Sequence, residues 1–255
     1  GRALCGINPS KIYMSTNAGI YVIDIADPTA PAVVGKVQGV SEGDNPADLY
    51  NGQVGDMVHA GEYVFAVCQN TGIYVIDVLT DAVVKAIEDP NVQGVTQSAD
   101  GKGWYDTIDS NKLGNFVALD IETLEEAERV VVPAEIGTVT CGWGAWRTTQ
   151  FTSSHTVNSL FFAPGSSVSN GGGGVYYSYD IDNATFKKIF DINGMAAHTP
   201  GMKQGAYGTI RYDARTNEII VGTTEFKASG HYRYNWTHFV DATTGKINRT
   251  VELRP

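Results

Sequence analysis

The chain has 255 residues, 42% hydrophobic and 18% charged, a composition that excludes disorder and allows a full core without metals or disulfides. A formal net charge of −10, with 18 scattered basic residues, argues against nucleic acid or an anionic membrane surface as a partner. No apolar run approaches the ~20 residues of a spanning helix, so no membrane insertion by this chain is expected.

Turn formers and strand formers are both abundant, with 29 glycines, 13 tyrosines and 9 phenylalanines. The first predicted unit, near 1–37, holds strands at 1–7, 11–15, 19–24 and 32–37, parted by Asn8-Pro9-Ser10 and Asp27-Pro28. The second, near 53–88, places strands at 53–58, 62–68, 72–77 and 82–88. Its third strand repeats Gly-Ile-Tyr-Val-Ile-Asp from 19–24 without change. The third unit, near 92–132, has strands at 92–98, 103–107, 114–120 and 127–132; Glu122–Arg129, the best helical candidate, reads as a turn entering a strand. The fourth, near 146–191, has strands at 146–153, 158–163, 174–180 and 185–191. The fifth, near 206–251, has strands at 206–212, 218–223, 235–241 and 246–251.

Looser copies of the hexapeptide at 114–120, 174–180 and 235–241 close on aspartate, as the two identical ones do. Asp24, Asp77, Asp120, Asp180 and Asp241 are 53, 43, 60 and 61 residues apart. They end a strand and can accept backbone N–H bonds, a structural role. Four-stranded antiparallel units recurring this way predict an all-β fold: one β-propeller domain over 1–255, with five countable blades.

With strands lettered a to d in each blade, the a–b and c–d turns leave one end and the b–c and d–a connectors leave the other. Every predicted connector of ten or more residues falls on the second end, and repeat proteins tend to put insertions on their binding face. Residues 38–52 bring Asp44, Asn45 and Tyr50 there; 133–145 bring Trp143, with Trp146 and Arg147 following where the chain enters the next strand; 192–205 bring His198. Residues 224–236, read as a loop, bring His231, Tyr232, Arg233, Tyr234 and Trp236. Amphipathic aromatics and arginine on loops are what ligand and protein hot spots use. Trp143 and Trp146 equally suit plugging a channel or covering blade tops, and for His198 and His231 an ordinary polar loop role is the default. Trp104, inside a strand, is expected in the core.

Chemistry-bearing motifs are otherwise missing. GxSxG, GxGxxG and HExxH do not occur, so no catalytic residue and no metal site is expected. Asp180-Ile181-Asp182-Asn183 opens like a calcium loop, but Ala184 and the lack of a following glycine break the pattern. The Gly/Ser-rich 164–173 has neither a following helix nor a lysine, and reads as a flexible loop rather than a phosphate cradle. Cys5, Cys68 and Cys141 permit one optional bridge at most; Cys68, within YVFAVC, is expected as a buried thiol. Gly1–Cys5 has the look of a lipoprotein site, but no apolar stretch precedes it, and a trimmed or recombinant start is the expectation.

The units of form GxYVID after a short aromatic strand resemble YVTN/YncE-type propeller repeats. VFAVCQNTGIYVID at 64–77, VTQSADGKGWYDT at 95–107 and WGAWRTTQFTSSHTVNSLFF at 143–162 are similar to a Bacteroidetes group of surface-layer-type propellers. The resemblance implies seven blades, a lipid-anchored place on the outer membrane facing outward, and no catalysis. It also implies, through some relatives, surface capture of cobalamin and its transfer to an outer-membrane transporter. Five blades are countable here, which leaves open a five-bladed ring of about 51 residues per blade or two blades outside these residues.

Three functions follow as expectations. The first is a non-enzymatic capture module for a small molecule, with a corrinoid (cobalamin) as the specific bound ligand. The second is an adhesion or protein-interaction module of the cell surface. The third is a propeller lyase or hydrolase, which needs titratable groups to converge on the long-loop face.

Overall fold

In the computed structural model the described residues are 3–16, 18–40, 54–68, 71–92, 94–111, 113–137, 151–154, 157–164, 175–192, 195–198, 203–226 and 233–253. They form twenty strands and no helix. Blade 1 is β1 (Leu4–Asn8), β2 (Lys11–Thr16), β3 (Gly19–Asp24) and β4 (Ala32–Lys36). Blade 2 is β5 (Val54–Ala60), β6 (Tyr63–Cys68), β7 (Gly72–Asp77) and β8 (Ala82–Glu88). Blade 3 is β9 (Val95–Gln97), β10 (Gly103–Ile108), β11 (Gly114–Leu119) and β12 (Glu126–Val131). Blade 4 is β13 (Phe151–Ser154), β14 (Val157–Phe162), β15 (Val175–Asp180) and β16 (Thr185–Asp191). Blade 5 is β17 (Lys203–Asp213), β18 (Glu218–Phe226), β19 (Arg233–Asp241) and β20 (Ile247–Leu253). Each blade is a four-stranded sheet paired in chain order and antiparallel throughout, so the chain is all-β and consists of five blades of a β-propeller.

The chain divides into two compact units, residues 1–97 with 101–131 and residues 98–100 with 132–255. In the first, blade 2 is covered on both faces. Val64, Ala66, Cys68, Tyr74 and Ile76 pack on Cys5, Tyr13, Ile20 and Val22 of blade 1. The alternate residues Phe65, Val67, Ile73 and Val75 pack on Val95, Tyr105, Val117 and Leu119 of blade 3. Side chains alternate across a strand, so a strand buried on both faces must be apolar at every position. That is why YVFAVC and GIYVID read as unbroken hydrophobic runs. In the second unit, Phe161, Tyr176 and Phe190 of blade 4 pack against Ile210, Ile219, Val221 and Val240 of blade 5. Trp104 and Cys68 are buried as expected, and Cys5 and Cys68 are free thiols. Burial, and secondarily the charge of Asp56, pushes the Cys5 thiol up to about 12.

The repeated aspartates close their strands as turn acceptors. Asp77 Oδ1 takes the N–H groups of Leu79 (2.9 Å) and Thr80 (2.8 Å) and the Thr80 hydroxyl (3.0 Å). Asp120 and Asp241 repeat the pattern with Thr123 and Thr244. Asp180 uses Asn183 instead, and Asp24 accepts the N–H of Ala26. These bonds hold the carboxyls of Asp77, Asp120, Asp180 and Asp241 below their usual range. Lysines then tie one blade to the turn of the next: Lys11 Nζ donates to Val78 O (2.7 Å), Lys85 to Leu124 O (2.6 Å) and Lys187 to Thr243 O (2.6 Å). Gly72 opens the second hexapeptide at φ +139°, and a Cβ there would meet Ile87 O at 1.8 Å.

The long connectors are 37–53, 132–150, 163–174 and 192–202, and all join strand pairs at the same end of their blades. One predicted long loop is corrected. Strands β18 and β19 pair from Glu218↔Asp241 as far as Phe226↔Arg233, leaving only 227–232 between them. Arg233, Tyr234 and Trp236 therefore stand on a strand and not on a loop. The alternation Ile219, Val221, Thr223, Glu225 continues in register with β19, and backbone pairing carries the hairpin past its apolar part.

Candidate functional site

Strand alternation and register bring one set of side chains together at the long-connector end of blade 5. On β18, Ile219, Val221, Thr223 and Glu225 share a face. Opposite them on β19 stand Val240, His238 and Trp236, through the pairs Ile219↔Val240, Val221↔His238 and Thr223↔Trp236. On β20, Thr250 lies beside His238 and Glu252 beside Trp236. The rows toward the short-turn end are apolar and pack on blade 4. Toward the long-connector end they become polar while staying buried: Thr223 is 1% exposed, and Glu225 and His238 are 0% exposed.

Buried polar groups need partners, and most here have them. His238 bridges two hydroxyls, Nε2 with Thr223 Oγ1 at 2.9 Å and Nδ1 with Thr250 Oγ1 at 2.9 Å. A neutral imidazole satisfies both, one nitrogen donating and the other accepting. Desolvation, reinforced by the charge of His198 and partly offset by Glu225, lowers the His238 pKa to about 4, so the ring is neutral at pH 7. Glu225 accepts the backbone N–H of His198, which anchors the 192–202 connector to the blade.

That anchor sets the His198 ring against Trp236, with centroids 4.4 Å apart and planes inclined at 37°. His198 also stacks on His238 at 5.8 Å, His238 faces Phe190 at 6.5 Å, and Phe190 stacks on Tyr176 at 6.0 Å. The result is a column of five rings from the buried Tyr176 to the half-buried Trp236 and the exposed His198. Two of its polar atoms, Trp236 Nε1 and Tyr176 Oη, are shielded from water and have no hydrogen-bond partner among the described residues. Such a column presents aromatic surface at the long-connector end, against which a flat ligand can stack.

Of the residues predicted from sequence, the structure brings His198 and Trp236 into contact. Arg233 and Tyr234 lie on β19, with side chains outside the described set. Asp44, Asn45, Tyr50, Trp143, Trp146, Arg147, His231 and Tyr232 lie outside the described residues. Sequence reasoning missed Thr223, Glu225, His238 and Thr250. The signal that could have found the first three is the period-two pattern of EIIVGTTEF and RYNWTHFVD, which runs on through the polar residues. Among the described residues no group of three or more His, Cys, Asp or Glu could hold a metal ion. A second set of carboxylates, between blades 2 and 3, is engaged in holding backbone. Asp106 takes the N–H of Gly94 (2.7 Å), Asp56 that of Val95 (3.3 Å) and Asp89 that of Asn91 (2.9 Å).

Residues 1–254 match the family described as Domain of unknown function (DUF5074), and the chain belongs to that family. Among solved structures it is similar to a quinonprotein alcohol dehydrogenase-like protein from Bacteroides thetaiotaomicron, at 14% identity and a TM-score of 0.58, over 98% of this chain and 55% of that one. It is similar to Kuenenia stuttgartiensis hydrazine synthase, at 11% identity and a TM-score of 0.61, over 99% of this chain and 65% of that one. The Dos1 propeller matches at 11% identity and a TM-score of 0.54, over 99% of this chain and 60% of that one. At these identities the likeness is one of fold, and the chain spans 55–65% of the length of these structures. No curated protein matches.

Proposed function

Taking the propeller fold and the family as the premise, we propose that this chain is a non-enzymatic ligand-binding propeller that captures a small molecule at its long-connector end. The observation that carries the reading is the tilted His198–Trp236 ring contact, held in place by the bond from the His198 backbone to the buried Glu225. An aromatic pair fixed by the fold has little ordering entropy left to lose on binding, which is what a preorganised site requires. The resemblance to YVTN/YncE-type surface propellers supplies the finer part of the proposal. The ligand is a corrinoid, the location is the outer face of the outer membrane, and a transporter receives the ligand. Trp143, Trp146, Arg147, His231, Tyr232, Asp44, Asn45 and Tyr50 are proposed as further contacts.

The lyase or hydrolase reading needs titratable groups able to exchange protons with a substrate. His238 and Glu225 do converge, but both are fully buried, and His238 has both nitrogens engaged by threonine hydroxyls. The adhesion reading draws on the apolar residues exposed along outer strands, Val33 and Val34 of β4 and Val251 and Leu253 of β20. Titration with cyanocobalamin, by calorimetry and by visible corrin absorbance, tests the capture proposal. One-to-one binding is expected, with Trp236→Ala weaker by roughly thirtyfold, the ~2 kcal/mol of a hot-spot aromatic. A folded protein that shows no heat and no spectral change moves the assignment to adhesion.

A further inference from the structure

Contacts between neighbouring blades join two faces of opposite parity. Positions two and four before the closing aspartate face the following blade: Ile73 and Val75 of blade 2 pack on blade 3, and Tyr176 of blade 4 packs on blade 5. Positions one and three before it face the preceding blade: Tyr74 and Ile76 of blade 2 pack on blade 1, and Val240 of blade 5 packs on blade 4. In blades 1 and 5 one of these faces is under-covered. Thr237 and Phe239 of blade 5 are partly buried, and beside them on β20 Val251 and Leu253 are 42% and 52% exposed. Tyr21 and Ile23 of blade 1 are partly buried, and Val33, paired with Ile23, is 61% exposed.

A cation marks what the blade 5 face is built to meet. Lys85, paired with Val75, and Lys187, paired with Ser178, stand opposite the second residue before the closing aspartate. Each donates to a turn carbonyl of the following blade, Leu124 O and Thr243 O, at 2.6 Å. Arg249, paired with Phe239, holds the same register position in blade 5. It is exposed, and its guanidinium lies over the Phe239 ring at 3.5 Å. The face thus has the apolar rows and the cation of a blade–blade contact. Its complement is a face of the other parity followed by a c–d turn, which blade 1 presents in Tyr21, Ile23, Val33 and the turn at 25–31.

We infer that this chain self-associates, blade 5 of one copy packing on blade 1 of a second, with Arg249 donating to carbonyls of that 25–31 turn. A second copy is the occupant because the chain carries both halves of the contact, and each stays partly exposed in a single copy. Exchanged twice about a two-fold axis, the contact closes on a dimer. A four-stranded face six residues long measures roughly 19 by 20 Å, so two contacts of two faces each cover about 1,600 Å², the size of a standard stable interface. The inference is independent of what the long-connector end binds.

Size exclusion with light scattering reads the mass in solution, and the wild type should show twice the monomer mass. Val251→Glu and Val33→Glu alter exposed residues of outer strands, so the fold should survive, as checked by circular dichroism. Each variant alone should be monomeric, because it spoils one half of both contacts. An equimolar mixture regains one intact contact, blade 5 of the Val33→Glu copy on blade 1 of the Val251→Glu copy. It should therefore return the dimer mass at concentrations where each variant alone is monomeric. Arg249→Ala should weaken the dimer roughly tenfold, as expected for loss of a charged donor. A monomeric wild type overturns the inference. So does a dimer that survives either glutamate substitution, which places the contact on another surface, or a mixture that stays monomeric.

Discussion

Acid should destabilise this protein through His238 in a pH window set by one ring. The imidazole is fully buried, bridged to Thr223 and Thr250, and its pKa is lowered to about 4 from 6.5. Because the folded-state value is the lower one, the unfolded chain takes up the proton first. The contribution is therefore intact above about pH 6.5 and is lost as pH falls toward 4. Linkage gives a loss of roughly 1 kcal/mol at pH 5.5 and roughly 2–3 kcal/mol at pH 4.5. Urea unfolding of the wild type and of His238→Gln across pH 7.5 to 4.5 isolates the effect. The glutamine amide can still donate to one hydroxyl and accept from the other, but it does not titrate. The carboxylates held low in the turns are common to both proteins and cancel in the difference. The wild type should lose roughly 2–3 kcal/mol more than the variant over that range. Parallel stability curves would refute the reasoning, because they would mean that the ring meets protons as readily folded as unfolded.

Gly72→Ala should cost more than about 1 kcal/mol, through its positive φ and the clash of a Cβ with Ile87 O, read as a lowered urea midpoint. Gly19→Ala, at the same place in the identical hexapeptide, should cost less, because the atom met first is Cε of the flexible Lys36 side chain. Asp77→Ala should lower Tm more than Asp24→Ala, since Asp77 accepts three bonds from Leu79 and Thr80 while Asp24 accepts one from Ala26. Tyr176→Phe should be neutral or stabilising by up to ~1 kcal/mol, because the buried hydroxyl it removes has no partner among the described residues; a clear loss of stability would reveal an acceptor.

The blades were legible in the sequence because their determinants are local. Each needs a glycine able to start the third strand, an apolar run, an aspartate that closes it by accepting the next backbone N–H groups, and turn residues between strands. All of these lie within a few positions of one another, and each of the twenty strands overlaps its predicted position, although β17, β18 and β19 run past their predicted ends and β13 is described only from Phe151. Their burial was not legible in the same way. Tyr21 and Ile23 of the first Gly-Ile-Tyr-Val-Ile-Asp are only partly buried, whereas Tyr74 and Ile76 of the identical second copy are buried against blade 1. Neighbouring blades, not the hexapeptide, decide which of its faces is core.

The candidate site depends still more on tertiary structure. Its residues come from a connector at 198, from β18 at 223 and 225, from β19 at 236 and 238, and from β20 at 250, and only strand register sets them side by side. Reading 224–236 as a loop hid Glu225, because a polar tail on an alternating strand looks like the start of a turn when backbone pairing is not visible. What the sequence by itself determined was the repeating strand and its turn, through short-range backbone and side-chain preferences. The tertiary structure decided which face each strand buries and which distant polar groups meet, since both depend on pairings between segments far apart in the chain.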